Sequence, residues 1–396
     1  MSVIRQMITS LLIAALSLQG RLWSSLNTVL GTAVVVAVMV AILSIGAGYR
    51  QAMQLSEVED SWMILRGGAQ SEMESTLTAE EVSLIQSNRR NGQSSDQSVT
   101  SSESYAVVAL DGPSGASLNV ALRGVGPEAQ KLRGDFHIIE GRDFTPGRRE
   151  LVVGRRAQQH FGGLALGETL RISGANWTVV GVFEAGGNIS ESELWTDRGM
   201  LQQALNRGDN VQVVLTPRRD GESALDLQNA LNRDGRLNVS VVSRRDYYAG
   251  QAENMQRFVR ILGSVIVALM SLGAVFAALN TGYSHVKSRA KELATLNVLG
   301  WTNGALALSI AAEAVILNLL GACVGVAVSY LLFNDKLVST LFFANDFTQV
   351  VFTFAVTPRI MVEAVILAFI IGIAGSLGPA MQLRRLPVAR LLVQRN

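Results

Sequence analysis

The chain has 396 residues, 48% hydrophobic and only 17% charged, where an average soluble protein carries about 25% charged residues. Its formal charge of +2 hides a split: residues 51–254 hold 20 Lys+Arg and 27 Asp+Glu, a balance of −7, and the remainder holds 14 and 5, a balance of +9. One cysteine (Cys323) and three scattered histidines (His137, His160, His285) exclude a disulfide framework and a Cys/His metal cluster.

Residues 1–25 read as an amphipathic helix in the membrane interface, built on MITSLLIAALSL (7–18), which is too short to cross. Arg5 before an apolar core also suits a signal peptide, but no small-x-small cleavage site follows and a full apolar run begins within ten residues. That run places a first transmembrane helix at 26–50. A hydrocarbon core of ~30 Å takes about 20 helical residues. Three further runs meet that length, at about 259–280, 305–332 and 360–380.

Between the first and second spans, residues 51–254 read as a mixed α/β domain. Strands are expected at 61–67, 105–110, 118–124, 150–154, 169–173, 177–183, 211–217 and 238–243, each rich in β-branched residues and bounded by Gly, Asp, Asn or Pro. Gly174-Ala175-Asn176 predicts a hairpin between the fifth and sixth. Thr78-Ala79-Glu80-Glu81 is a capping box that opens a helix. Further helices are expected at 155–161, 197–205 and 221–233, and a mobile Ser/Asn/Gln-rich loop at 88–103. No catalytic constellation stands out in this domain.

Basic residues fix the expected orientation. Arg5 and Arg21, then Lys287, Arg289 and Lys291, then Arg384, Arg385, Arg390 and Arg395 fall on one side of a four-span topology, which is therefore the cytoplasm. The 51–254 domain lies outside, with a short loop at 334–359. The fold class is thus a membrane α-helical protein with four transmembrane helices and a large mixed α/β periplasmic domain inserted between the first and second.

The segment SRAKELATLNVLGWTNGAL (288–306) joins the second and third spans on the cytoplasmic side. Ala290, Leu293, Ala294, Leu296 and Leu299 fall near helical spacing, Lys291 and Glu292 take the polar side, and Gly300 stops the helix. An amphipathic helix of this kind, at about 287–300, suits either an interfacial anchor or a docking helix for a cytosolic partner. In the spans, Glu313 has no basic partner at its depth by sequence and reads as a structural hydrogen-bonding group rather than a proton relay. Glu363 sits at the outer end of the fourth span, where a carboxylate is solvated. Asn280 reads as polar glue between helices. Gly321 and Gly325 form a GxxxG, and Gly372, Gly375 and Ser376 a second small face, suited to helix packing within or between chains.

Lys291-Glu292-Leu293-Ala294-Thr295-Leu296-Asn297-Val298-Leu299-Gly300 resembles the coupling helix of the FtsX/MacB-like ABC transporter permeases, whose pattern is Arg-Glu-Ile-Gly-x-Leu-Arg-Ala-Leu-Gly. It departs at Lys291, Leu293, Ala294, Asn297 and Val298. Residues 17–50 are similar to the family's first span. Segments 122–128, 138–170, 177–187 and 191–195 resemble its MacB-like periplasmic core, and 383–392 its amphipathic tail. The resemblance implies an FtsX-like permease domain over 255–396 and an inner-membrane location with both termini cytoplasmic. It implies a mechanotransmission role, in which a cytosolic ABC ATPase binds ATP and the permease itself needs no cofactor and is no enzyme. This sequence holds no Gly-x-x-x-x-Gly-Lys-Ser/Thr phosphate loop. A second permease copy, membrane lipids, a periplasmic membrane-fusion adaptor and an outer-membrane channel are the other partners implied; the acidic domain argues against nucleic acid. Export or extraction of a lipid, lipoprotein, peptide or drug is the expected function. The alternative is an FtsX-like transducer that activates a periplasmic cell-wall hydrolase.

Overall fold

The computed structural model describes residues 22–54, 61–90, 99–111, 117–133, 135–339 and 350–382. The interfacial helix expected before Leu22, and the tail at 383–392, lie outside the described residues. The chain forms two compact units, one of residues 48–257 and 336–353, the other of residues through Ala47, Phe258–Asp335 and from Phe354 onward.

The first unit is built on a ten-stranded sheet. Its strands are β1 (Ser61–Arg66), β2 (Ser101–Asp111), β3 (Ser117–Val125), β4 (His137–Gly141), β5 (Glu150–Gly154), β6 (Thr169–Ile172), β7 (Ala175–Glu184), β8 (Leu194–Asp197), β9 (Val213–Pro217) and β10 (Val239–Ser243). Their order is β10-β1-β9-β2-β3-β8-β5-β7-β4, with β6 paired to β7. The pairs β3–β8 and β5–β7 are parallel and the others antiparallel. In β1 and β5 consecutive residues are buried, as continuous apolar runs require when both faces are covered. The β6–β7 turn is shorter than Gly174-Ala175-Asn176 suggests. Ile172 pairs with Ala175, leaving Ser173 (φ 50°) and Gly174 (φ 78°) as a two-residue turn with both φ positive, the hand that matches strand twist.

Helix α1 (Leu22–Gln54) precedes the sheet in the chain, and four further helices cover it: α2 (Ala79–Arg90), α3 (Arg155–His160), α4 (Arg198–Ala204) and α5 (Ala224–Asn232). The capping box forms: Thr78 N–H donates to Glu81 Oε2 at 2.7 Å and Glu81 N–H to Thr78 Oγ1 at 3.3 Å. Asp197 and Ser223 cap α4 and α5, accepting from the N–H groups of Met200 and Asp226. Helices α2 and α5 close one core, with Ile85, Leu227 and Leu231 against Trp62, Ile64 and Val214.

Three features differ from expectation. Helix α2 runs through Arg90 into the segment read as a mobile loop, because Arg89 is fully buried and donates to Thr216, Pro217 and Glu222; residues 91–98 of that loop lie outside the described residues. Strands β4 and β8 were not legible, β4 being an exposed edge strand and β8 only four residues long. Finally, residues 336–353 belong with the sheet and not with the spans around them. Leu337–Ser339 (β11) pairs antiparallel with Val351–Thr353 (β12), and Val351 is buried in the same core as Val153 and Trp177.

The second unit contains α1 (Leu22–Gln54), α6 (Arg244–Ser288), the short α7 (Ala290–Val298), α8 (Asn303–Phe333) and α9 (Pro358–Gln382). Four of them, all but α7, are long and apolar enough to cross a membrane. Helix α6 has 45 residues and starts well before the apolar run that marks it in the sequence, so it has residues in both units, as does α1. Small residues set the packing of the spans. A Cβ on Gly321 would lie 2.7 Å from the Val29 carbonyl oxygen, and one on Gly325 would lie 2.5 Å from that of Ala33. Glycines at these positions let α8 approach the backbone of α1. Gly372 and Gly375 of α9 lie in the same way against Val315 and Ala278. Both small faces are therefore used inside the chain.

Candidate coupling site

Helix α7 starts one residue after α6 ends and is closed by a Schellman motif. Gly300 (φ 95°) donates to Asn297 O at 3.0 Å and Trp301 N–H to Leu296 O at 3.1 Å, with Leu296 and Trp301 in one apolar cluster. Thr302 then caps α8, its Oγ1 accepting from Ala305 N–H at 3.2 Å. Four residues, Leu299–Thr302, thus suffice to turn the chain from α7 into the third span.

The apolar stripe of α7 is used differently from the sequence reading. Leu293 and Ala294 are buried, Leu293 packing with Val286, Leu306 and Ile310, and Leu296 is half-buried beside them. These residues seat the helix on its own chain and are not free for a partner. Lys291, Glu292, Thr295, Val298 and Leu299 point outward, Leu299 being 72% exposed. The outward apolar pair is Val298 and Leu299.

Under α7 lies a charged group that sequence reasoning missed. Glu313 is not a lone carboxyl. Its Oε1 is 3.1 Å from His285 Nδ1 at the end of α6, and its Oε2 is 3.4 Å from Arg289 Nη1, the residue that precedes α7. All three side chains are buried. The remaining edge of the Arg289 guanidinium donates to Glu292, Nε at 3.0 Å and Nη2 at 2.9 Å. The available signal was the i, i+4 spacing of His285 and Arg289, which puts both on one face of the chain where it leaves the second span.

The other intramembrane residues fall as follows. Asn280 is exposed, and its side chain has no hydrogen bond to another helix among the described residues. A polar bridge between α1 and α8 is instead Thr32–Asn318, where Thr32 Oγ1 donates to Asn318 Oδ1 at 2.6 Å. Glu363 is half-buried and pairs with Arg359 at 3.1 Å.

In the sheet unit, Arg123 and Arg133 are buried among three carboxylates. Arg123 Nε and Nη2 lie 2.7 and 2.8 Å from Glu193, and Nη1 lies 2.7 Å from Glu72 and 3.0 Å from Glu103. Arg133 holds Glu103 with both Nη atoms. Burial alone would push the Glu103 carboxyl up, but the Arg133 and Arg123 charges outweigh it and bring it down to about 2. For Glu72 the balance reverses: burial prevails over Arg123 and its pKa is raised. The constellation is a structural ion network, with no nucleophile–base pair.

Two family profiles match in tandem. The MacB-like periplasmic core domain spans residues 25–233, more than half of the chain, and the FtsX-like permease C-terminal domain spans 264–388. The chain belongs to the FtsX/MacB-like permease family. This permease is 25% identical over 333 residues to the macrolide export ATP-binding/permease protein MacB of Bdellovibrio bacteriovorus, covering 76% of the present chain. It spans about half the length of that curated relative. Among solved structures, the periplasmic region of MacB from Actinobacillus actinomycetemcomitans is 13% identical, with a TM-score of 0.37 over 48% of this chain and 92% of that one. The extracellular domain of the noncanonic ABC-type transporter YknZ from Gram-positive bacteria is 14% identical, with a TM-score of 0.34 over 46% and 98% of the two chains. Within the FtsX/MacB-like permease, the α6–α7–α8 geometry lies in the FtsX-like part and the Arg123 network in the MacB-like part.

Proposed function

We propose that this FtsX/MacB-like permease is the membrane subunit of an ABC transporter, driven by a separate cytosolic ATPase that docks on α7. Four candidate spans and the basic flanks of the chain support an inner-membrane protein with its sheet domain in the periplasm and α7 in the cytoplasm. Nucleotide-driven closure of the ATPase then moves α7, and the permease passes that motion to the periplasmic domain, exporting or extracting a lipid, lipoprotein, peptide or drug. The observation that carries this reading is the outward face of α7. Val298 and Leu299 are 64% and 72% exposed at the end of a helix whose other apolar residues are already seated. Two apolar side chains held out by a rigid Schellman turn, with Lys291 and Glu292 one or two turns away, suit a helix that inserts into a groove on a soluble partner.

The test is co-purification in mild detergent from the native host. Val298→Asp with Leu299→Asp is expected to lose the ATPase, whereas Leu225→Asp, on exposed α5 of the sheet domain, retains it. An ATPase that stays bound to the double variant at wild-type stoichiometry removes the docking role from α7.

A further inference from the structure

We propose that Glu313 is a positioning residue for α7: with Arg289 it forms a latch that ties the coupling helix to the third span. The functional half of this inference rests on the docking role proposed above for α7; the latch itself does not.

A nine-residue helix has little stability of its own, since helix formation is cooperative with a costly nucleus. Its fully buried apolar contacts are few, Leu293 and Ala294, and such contacts are non-directional. They hold α7 down without fixing its rotation about its own axis. Arg289 supplies direction. Its planar guanidinium presents donors in a fixed fork, and the two edges are divided between Glu292, on α7 itself, and Glu313, three turns into α8. The second oxygen of Glu313 takes His285 at the end of α6. One carboxylate therefore joins the last turn of the second span, the start of α7 and the third span.

A buried ion pair is not the cheapest way to fill this space. Apolar residues of similar volume often serve stability as well or better. What the pair adds is a geometry that resists turning and transmits force along a defined line. A pull on Val298 and Leu299 reaches the spans through Arg289 and Glu313 rather than being lost in rolling of α7. Loss of the Glu313 charge leaves the outward face unchanged, so docking and transmission separate.

The experiment uses the full chain in lipid nanodiscs and reads amide hydrogen exchange across 289–300 in Glu313→Gln, Arg289→Gln, the double variant and Arg289→Lys. Each Gln variant is expected to speed exchange in α7 roughly tenfold, with the double variant well short of the product of the two single effects, the mark of a shared interaction. Arg289→Lys, which keeps the charge and loses the fork, is expected to fall between. With the ATPase bound, Glu313→Gln should keep the wild-type stoichiometry and KM for ATP and lower kcat. Exchange in α7 that is unchanged in Glu313→Gln, or additive in the double variant, overturns the latch. Failure of the docking reading shows separately, as a wild-type chain that retains no ATPase, and the exchange arm still judges the latch in that case.

Discussion

Arg133 closes both ends of its guanidinium on Glu103, with Nη1 2.7 Å from Oε1 and Nη2 2.8 Å from Oε2, while Arg123 approaches the same Oε2 at 3.0 Å. Glu103 is fully buried on β2, and among the described residues it is the one carboxylate in an ion pair with Arg133. Removing it leaves a buried arginine uncompensated. Glu103→Gln is expected to cost about 3–5 kcal/mol, lowering the melting temperature of the sheet unit by roughly 10 °C. Glu72 offers the contrast. Its raised pKa means that the folded state disfavours its charge, and without it Arg123 still faces Glu193 and Glu103. Glu72→Gln should therefore stay within about 1 kcal/mol of wild type. Differential scanning fluorimetry of the full chain in detergent compares the two, since Trp62, Trp177 and Trp195 are buried in this unit. Equal losses would contradict the assignment of Glu103 as the anchor.

The same asymmetry sets an acid dependence. The folded-state pKa of Glu103 is about 2, below the ordinary 4.5. Its contribution is therefore fully present above pH 4.5 and is lost as pH falls toward 2. Glu72 has the opposite sign: its folded pKa lies above 4.5, so its contribution is present below that value and is lost as pH rises through the folded pKa. Titrating the melting temperature downward from pH 6 should show a fall below pH 4.5 in the wild type. In Glu103→Gln that fall should be shallower, while in Glu72→Gln the limb below pH 4.5 should match the wild type and the gain in stability on acidification above pH 4.5 should be lost. An acid limb of equal slope in the wild type and Glu103→Gln would show that other carboxylates govern it.

How far the sequence could be read depended on the range of each interaction. Apolar runs, the Thr78–Glu81 capping box and the Gly300 stop are local, and each appears where residue order places it. The amphipathic stripe of α7 was equally visible, but periodicity shows that a face is apolar without showing what covers it. Leu293 is spent on Leu306 and Ile310, so only the far end, Val298 and Leu299, remains outward. Glu313 looked unpartnered because its partners are 24 and 28 positions earlier, on a different helix or at its end. Strands β11 and β12 have three residues each, too few to show alternation, and they gain order only from the core that receives Val351.

The glycines of α8 give a third prediction. Gly325 lies against the Ala33 carbonyl and Val36 in α1, with no space for a side chain. Gly325→Leu must push α1 and α8 apart, which also strains the Thr32–Asn318 hydrogen bond two turns away on the same seam. Overpacking of this kind typically costs about 1–3 kcal/mol. Folded yield in mild detergent, read by size-exclusion chromatography, should drop, whereas Gly304→Leu, in open space at the start of the same helix, should leave it unchanged. Normal yield for Gly325→Leu would mean that α1 and α8 do not meet at this glycine.

Ser192 supplies the last. Its buried hydroxyl donates to Val351 O at 2.9 Å and accepts from Val351 N–H at 3.0 Å, so a single side chain satisfies both backbone groups of a residue in β12. Alanine at 192 leaves that N–H and C=O without their partner in a site from which water is excluded, at a cost of about 1–3 kcal/mol for each group left unsatisfied. Global stability is the less informative readout, because β12 is short and can detach alone. Local opening is the sharper one. Hydrogen exchange at Val351 and Phe352 should rise by one to two orders of magnitude in Ser192→Ala, about what 1.4–2.8 kcal/mol of lost protection gives, while β5 and β7 stay protected. Threonine, which keeps the hydroxyl, should restore most of the protection. If alanine and threonine behave alike, the hydroxyl does not hold β12, and the burial of Val351 alone accounts for its place in the core.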